Sequence, residues 1–484
     1  MALAPHYQPA PITPSLGEGF FDAVTAASFP TQRVRFRNQR WAERIGLGAL
    51  TDAEWIAHFA RFEPLAENIQ APLALRYHGH QFGAYNAQLG DGRGFLFAQL
   101  RDPQDGRLLD LGTKGSGRTP WSRGGDGRLT LKGGVREILA TEMLEALGVS
   151  TSKTFSLVET GEQLMRGDEP SPTRASVLVR LSHSHVRFGS FERFAHARDA
   201  GRLRRLLDFS LEHYFPDLAP GKGEGTPEIF LREVARRSAA LCASWMAAGF
   251  VHGVLNTDNM NITGESFDYG PYRFLPVFDP KFVAAYFDET GRYAYGRQPE
   301  VVRWNLERLA DALGALADAQ SLRAELHDFE PRYMHLFHRA FLDRLGVAPL
   351  HPIADSLLVA HCQCFLEESR LGFDRFFFDW YGGVVSESRA MGGPAAAAYR
   401  GEKWAVCLRE LAERAPSAPA RLAAAYFQQT APCTLVIDEI ERVFRHIAAD
   451  DDWAPLEAKV EEIRSFGRAH GRGPERTATA PAGG

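Results

Sequence analysis

Cysteine is scarce in this chain, with 5 in 484 residues. That number cannot make a disulfide framework over such a length. Cys362 and Cys364 follow His361 in "HCQC", but no further ligands follow at finger-like spacing. The expectation is buried thiols beside a helix rather than a metal centre. No run of 18 apolar residues occurs, which argues against a membrane-spanning helix. The opening MALAPHYQPA lacks a basic segment followed by an apolar core, so no secretory signal is expected and the cytoplasm is the expected compartment. Neither sign of charge is in excess: 55 Lys and Arg stand against 60 Asp and Glu, for a net charge of −5. Bulk nucleic-acid binding is therefore not indicated. No repeat of 20–50 residues is evident, which argues against a solenoid.

Glycine is abundant, and it is clustered. Between Tyr77 and Gly134 the chain reads "YHGHQFGAYNAQLGDGRGFLFAQL" and then "LGTKGSGRTPWSRGGDGRLTLKGG". Short apolar runs such as Phe95–Leu100, bounded by Asp91-Gly92 and Asp105-Gly106, predict antiparallel strands with tight turns. A helix is predicted over Val135–Leu147, stopped by Gly148. Strands are predicted at Thr154–Glu159 and Ala175–Leu181, with a polar loop, Gly167–Thr173, between them. A short helical signal lies at Asp52–Phe62. Beyond Phe188 the pattern is mostly helical. Thr226-Pro227 reads as a helix start. Phe230, Val234, Ser238, Leu241 and Trp245 then recur at helical spacing until Gly249. Val302, Leu306, Leu309, Leu313 and Leu316 mark a second long helix.

The expected fold class is α+β: a β-rich, glycine-rich lobe with one helix, then a larger helical lobe. The expected divisions are an N-terminal extension at 1–70, a first lobe at 71–187, a second lobe at 188–385 and a helical region at 386–466. A disordered tail is expected at 467–484.

One stretch carries most of the chemistry: "HGVLNTDNMNI", from His252 to Ile262, followed by "FDYG" at Phe267–Gly270. The protein-kinase catalytic-loop pattern H-R-D-x-x-x-x-N, laid over it from His252, matches His252 and Asn259. The later Asp-Phe-Gly matches Asp268-Tyr269-Gly270. Gly253 stands in place of the Arg, and Val254 in place of the catalytic Asp. Asn259 and Asp268 offer hard oxygen ligands that suit Mg²⁺ or Mn²⁺ shared with phosphate. Asp258 is a spare carboxylate beside them that could accept a hydroxyl proton; a turn or helix cap would satisfy the same residues. Lys114 in "GTKGSG" and Glu137 in "VREI" have the residue types of a kinase phosphate-binding Lys and its helix partner. "QLGDGRG" (Gln88–Gly94) and "SRGGDGR" (Ser122–Arg128) let backbone N–H groups approach phosphate, although hairpin turns explain either one alone. Arg93, Arg180 and Arg187 carry guanidinium forks that match phosphate oxygens. His183 and His185 lie near them without a third ligand.

Taken together these segments resemble the selenoprotein O (YdiU) family. The resemblance runs from about residue 15 to residue 315. It rests on "LRYHGHQFGAYNAQLGDGR" (75–93), "GTKGSGRTPWSRGGDGR" (112–128), "REILATEML", "RLSHSHVRFGSFE", "HGVLNTDNMNITGESFDYGPY" and "GRYAYGRQPEVVRWNLERLA". It implies a protein-kinase-like bilobal fold of a family classed as pseudokinases. The implied activity is transfer of AMP from ATP to hydroxyl side chains of Ser, Thr or Tyr in proteins, metal-dependent, with pyrophosphate leaving. Carried over, Asp258 looks like the proton acceptor, and Asn259 and Asp268 look like the metal ligands. Gly90, Gly92, Arg93, Lys114, Asp126, Gly127, Arg180 and Arg187 look like nucleotide contacts, with Glu137 the partner of Lys114. The expected partners are ATP and protein substrates, with no nucleic acid and no membrane. The alternatives are a uridylyltransferase, an ordinary kinase, or a nucleotide-binding scaffold without turnover. The chain departs from the family in having Thr113 before the Lys, in lacking an "NPKYxLRN"-like stretch, and in having no cysteine beyond Cys433.

Overall fold

The computed structural model describes residues 3–218 and 226–472. Twelve strands and fifteen α-helices are present among them. In chain order the first half runs β1 (Phe21–Ala23), β2 (Arg33–Arg37), α1 (Gln39–Arg44), α2 (Asp52–Phe59), β3 (Leu73–Leu75), β4 (Gly79–Gln81), β5 (Ala84–Asn86), β6 (Leu96–Arg101), β7 (Leu108–Lys114), β8 (Leu129–Thr130), α3 (Leu131–Ala146), β9 (Lys153–Leu164) and β10 (Thr173–Ser182). The helical half opens with α4 (Phe188–His196), α5 (Ala200–Tyr214) and α6 (Thr226–Ala248). The short pair β11 (Phe250–Val251) and β12 (Arg273–Phe274) follows, then α7 (Gln298–Leu313). Eight further helices lie between Ala319 and Ala469.

Eight strands form one antiparallel sheet in the order β1-β3-β6-β7-β10-β9-β2, with β8 also paired to β10. Side chains alternate across a strand, and β10 shows what that does here. Val177, Val179 and Leu181 point into a cluster with Trp55, Phe59 and Phe155. Leu178 points the other way, into a cluster with Val135 and Ile138 of α3. Burial on both faces is why this strand reads as a continuous apolar run.

The observed elements sharpen the expected ones. Helix α3 begins four residues before the predicted start, because Thr130 accepts a hydrogen bond from the Gly133 N–H and caps it. Helix α2 starts at a capping box made by Thr51 and Glu54, but it ends at Phe59, short of Phe62. Thr226 is the first residue of α6, and Phe230, Val234, Ser238, Leu241 and Trp245 are all buried along it. Helix α7 ends at Leu313, before Leu316. Cys362 is buried, whereas Cys364 is exposed, so the paired buried-thiol expectation holds for one of the two. Among the described residues no group of three or more His, Cys, Asp or Glu side chains could hold a metal. The last helix, Ala454–Ala469, carries ordered structure past Gly467, into the segment read as tail; residues 473–484 lie outside the described residues. No helix among the described residues is long and apolar enough to cross a membrane.

Candidate active site

A cavity of about 630 Å³ lies between the sheet and the β11–β12 region. Its floor follows from strand register. In the antiparallel pair β7–β10, Lys114 sits opposite Leu178 and Gly112 opposite Arg180. Opposed residues point to one face, so Lys114 and Arg180 emerge side by side. Both meet Asp268. The Lys114 Nζ is 2.6 Å from Asp268 Oδ1, and the Arg180 Nη2 is 3.3 Å from the same oxygen. On its other side Lys114 donates to Glu137 Oε1 of α3 at 2.5 Å. Glu137 is 2% exposed and sits behind the lysine rather than on the cavity wall. Burial alone would raise the Asp268 carboxyl. The charges of Lys114 and Arg180, with Arg93 and Arg187 behind them, hold it well below the usual carboxylate range.

Asp258 reaches the cavity from the other side, on the short 3₁₀ turn Thr257–Asn259. Its Oδ1 is buried and has no hydrogen-bond partner among the described residues. Burial pushes its carboxyl up to about 7, against the opposing charge of Arg187. Arg187 donates from Nη1 to the Asp258 carbonyl oxygen at 2.8 Å and places Nη2 3.5 Å from Asp91 Oδ1. Its guanidinium lies 4.4 Å from the Tyr77 ring centre and 4.7 Å from that of Phe267. Arg187 Nε, Arg180 Nε and Arg180 Nη1 are buried donors without a partner among the described residues. Unpaired buried donors are costly, and an oxyanion in the cavity would relieve them.

His252 holds the loop together: its Nε2 lies 3.1 Å from the Phe267 carbonyl, and its backbone N–H donates to Gln298 Oε1. Asn259 donates from Nδ2 to the Val254 carbonyl at 2.9 Å. That leaves its amide oxygen as the atom available to a cation. Asn259 adjoins Asp258 in the chain but is not part of the cavity wall.

The glycine-rich segments form the roof, where Gly90, Gly92, Arg93 and Gly127 line the cavity. A Cβ on Gly90 would fall 2.4 Å from Trp121 Cγ, so only glycine permits the close packing of this turn. Arg93 lines the cavity, and its charge adds to those acting on Asp268. Asp126 is also on the wall, but its carboxylate is engaged, at 2.8 Å from Arg166 Nη1 and accepting the Arg128 N–H. It braces the roof loop against Arg166. His183 and His185 face inward, toward the Leu108 carbonyl and Asp110, and take no part.

Sequence reasoning passed over Tyr77, Asp91, Trp121 and Arg166, all of which line the cavity. Asp91, Tyr77 and Trp121 all lay within the quoted segments 75–93 and 112–128; Arg166 had no local signal, since long-range packing brings it to Asp126.

A lysine–glutamate pair on one carboxylate, three arginines, glycine turns and a second, unpaired carboxylate define a class of site suited to gripping a polyphosphate next to a proton acceptor. The comparisons agree with that class. The family model described as "Protein adenylyltransferase SelO" matches residues 3–464. A protein nucleotidyltransferase YdiU from Synechocystis sp. is 43% identical over 479 residues, covering 95% of this chain and 98% of the relative. Relatives of the same name from Trichormus variabilis and Gloeobacter violaceus are 44% and 46% identical, the first covering 96% of both chains and the second 95% of both. This chain belongs to the SelO family. The match extends well beyond the 15–315 span seen in the motifs and takes in the C-terminal helices.

Proposed function

We propose that this chain is a protein adenylyltransferase that moves AMP from ATP onto hydroxyl side chains of proteins. The observation that carries the reading is the pairing of two unlike carboxylates across one cavity. Asp268 is held ionised by Lys114 and Arg180, and Asp258 is unpaired and able to take a proton. In the proposed step the hydroxyl oxygen of Ser, Thr or Tyr attacks the α-phosphorus. The bond between that phosphorus and the α–β bridging oxygen breaks, pyrophosphate leaves, and the hydroxyl proton passes to Asp258. Lys114, Arg93, Arg180 and Arg187 offset the negative charge that develops on the transferring and leaving groups. Glu137 keeps Lys114 extended toward the phosphates. Gly90, Gly92 and Gly127 bring backbone close to them, and Asp126 keeps the roof loop in place.

The donor set also fits a divalent cation. Asn259 and Asp268 supply an amide oxygen and a carboxylate, the hard ligands that Mg²⁺ or Mn²⁺ takes alongside water and phosphate oxygens. When bound, such an ion supplies charge neutralisation to the phosphates. The layout also fits a protein-kinase-like bilobal arrangement, with residues 71–187 as the first lobe, 188–385 as the second, and 1–70 and 386–466 packed around them. In that arrangement the absence of an Asp at Val254 is no defect, because Asp258 serves an acceptor attacking a different phosphorus. The proposed setting is the cytoplasm.

The test uses ATP labelled at either the α- or the γ-phosphate, incubated with the protein, Mg²⁺ and a mixed protein acceptor. Label entering protein from the α position alone supports adenylyl transfer. Label from γ alone would make the chain a kinase, and ATP binding with no transfer would make it a scaffold. Running α-labelled UTP in parallel separates a uridylyltransferase.

A further inference from the structure

The β4–β5 hairpin touches both the cavity and an exposed aromatic patch. Gln81, at the end of β4, lines the cavity wall. The next residue, Phe82, faces outward and is 41% exposed. It is held at φ +50°, a left-handed conformation that a phenylalanine rarely adopts. Two contacts hold the hairpin against the Asp258 turn, and a third ties it to Tyr293. The Phe82 N–H donates to Asn256 Oδ1 and to the Tyr293 hydroxyl, and the His80 N–H donates to Thr257 Oγ1 at 2.7 Å. Gly79 lies so close that a Cβ there would fall 3.2 Å from Asp258 Cβ.

Two more exposed aromatics stand beside Phe82, on the segment between β12 and α7. Phe287 is 45% exposed, with its ring centre 6.0 Å from that of Phe82; Tyr286 is 82% exposed and 5.2 Å from Phe287. Behind them Tyr293 is buried, 4.9 Å from Phe82, with its hydroxyl donating to Asn256 at 2.6 Å. The positive φ of Phe82, like that of Gly83 at +84°, is what a two-residue hairpin turn between the paired Gln81 and Ala84 requires, and that turn presents a large apolar ring to water beside the Asp258 turn. Core packing does not account for that exposure.

We propose that Phe82, Tyr286 and Phe287 form the docking ridge for the acceptor polypeptide and receive a large apolar side chain that flanks its hydroxyl residue. The inference rests on the adenylyl-transfer reading above. That reading makes the occupant a polypeptide, since the acceptor is a protein side chain and this hairpin packs against the turn that carries Asp258. The ridge is continuous with the cavity through Gln81, so a chain presenting its hydroxyl to Asp258 lays its neighbouring residues over the three rings. Rigid aromatics are well suited to such contacts because little conformational entropy is lost on binding.

The test uses synthetic peptides with one Ser, Thr or Tyr among polar residues, made with and without a Leu or Phe on either side of it. Label from α-labelled ATP is followed for the wild type and for Tyr286→Ser/Phe287→Ser, two exposed positions, with the fold of the variant checked by circular dichroism. Binding of MgATP is measured separately by calorimetry. The expected result is at least a tenfold higher kcat/KM for peptides with the apolar neighbour, seen as a lower KM. That preference disappears in the double variant while ATP affinity stays unchanged. Equal labelling of all peptides by the wild type, or an intact preference in the double variant, would overturn the ridge while leaving the transferase reading in place. Loss of a concentration-dependent dimer in the double variant, with peptide labelling unaltered, would make the ridge a self-association surface and also overturn the proposal. Failure of the wild type to label any peptide or protein from the α position would overturn both readings together.

Discussion

Asp258 and Asp268 lie ten positions apart in the chain, and their surroundings prepare them for opposite tasks. Cationic neighbours fix Asp268 as a carboxylate, while burial without a partner leaves Asp258 close to protonation at neutral pH. Replacing Asp268 by Ala leaves Lys114 and Arg180 without their shared counter-charge and removes a ligand for the cation. Transfer is expected to fall by about 10³-fold or more, read as AMP incorporation at saturating ATP. Asp258→Asn keeps the shape and removes the acceptor. The expected fall in kcat is about 10²–10⁴-fold with the calorimetric affinity for MgATP unchanged; wild-type kcat in this variant would remove Asp258 from the mechanism. Two histidines remote from the chemistry contribute to acid stability. Burial first, then the charge of Arg107 beside His183 and of Arg472 beside His470, pushes each down to about 3. Each folded-state value lies below the unfolded one of about 6.5, so the unfolded chain binds more protons as pH falls. The stability these groups contribute is complete above about pH 6.5 and drains toward pH 3, at no more than about 1.4 kcal/mol per pH unit for each. Urea unfolding at pH 7.5 and pH 5 should show the difference, and His183→Asn should reduce it. At this scale much was legible. Asp268 was marked by motif spacing, Asp258 by its place beside Asn259, and Lys114 and Glu137 by residue type and the family resemblance. The contacts of Arg187 with Asp91 and Tyr77 were not marked, because no local pattern announces a contact made about a hundred residues away.

Helix α3 is the element on which the lysine's position depends, and it is held from two sides. Toward the sheet, Gly134 packs so closely that a Cβ would lie 2.3 Å from Leu157 Cδ1 and 2.9 Å from Ser176 Oγ. Gly134→Ala should push the helix off the sheet at a cost of about 1–3 kcal/mol and lower transfer by displacing Glu137. Toward the C-terminus, Arg464 of helix Ala454–Ala469 donates from Nε and Nη2 to the two oxygens of buried Glu142, at 2.8 and 2.7 Å. Lys132 reaches Glu441 of helix Ile437–Asp450 at 2.8 Å. Glu142 keeps a second cation, Arg40, at 3.2 Å, so Arg464→Ala weakens the cluster without emptying it. The expected loss is about 1–3 kcal/mol in chemical unfolding, with reduced kcat and an unchanged KM for the acceptor. Arg464→Lys should restore part of both. Unaltered kcat in Arg464→Ala would reduce the C-terminal pair to a purely structural role. The sequence showed helix α3 and its apolar face plainly. It did not show that the last two helices close over it, since an apolar stripe such as Ile440, Val443 and Ile447 marks which face is buried but not what it docks against.

Across the whole molecule the C-terminal helices return to the first-half sheet. Asp451, just after helix Ile437–Asp450, pairs with Arg35 of β2 at 2.8 Å and with Arg174 of β10 at 2.6 Å. The far end of the chain is thus tied to two strands of the sheet that carries Lys114 and Arg180. The β-rich, glycine-rich first half and helical second half were evident from residue patterning, and the sheet is antiparallel as the tight turns implied. The order of its strands was not evident, because pairing such as β2 with β9 joins segments more than a hundred residues apart. The site cavity is enclosed by this sheet and its glycine turns together with Asp258 and Asp268, and what matters most is which way a nucleotide lies in it. The most direct measurement is a crystal structure of the protein with Mg²⁺ and a non-hydrolysable ATP analogue. The expected result is the α-phosphorus beside Asp258, with the β- and γ-phosphates directed away from it among Lys114 and the arginines. A γ-phosphorus beside Asp258, or the nucleotide bound outside this cavity, would contradict it.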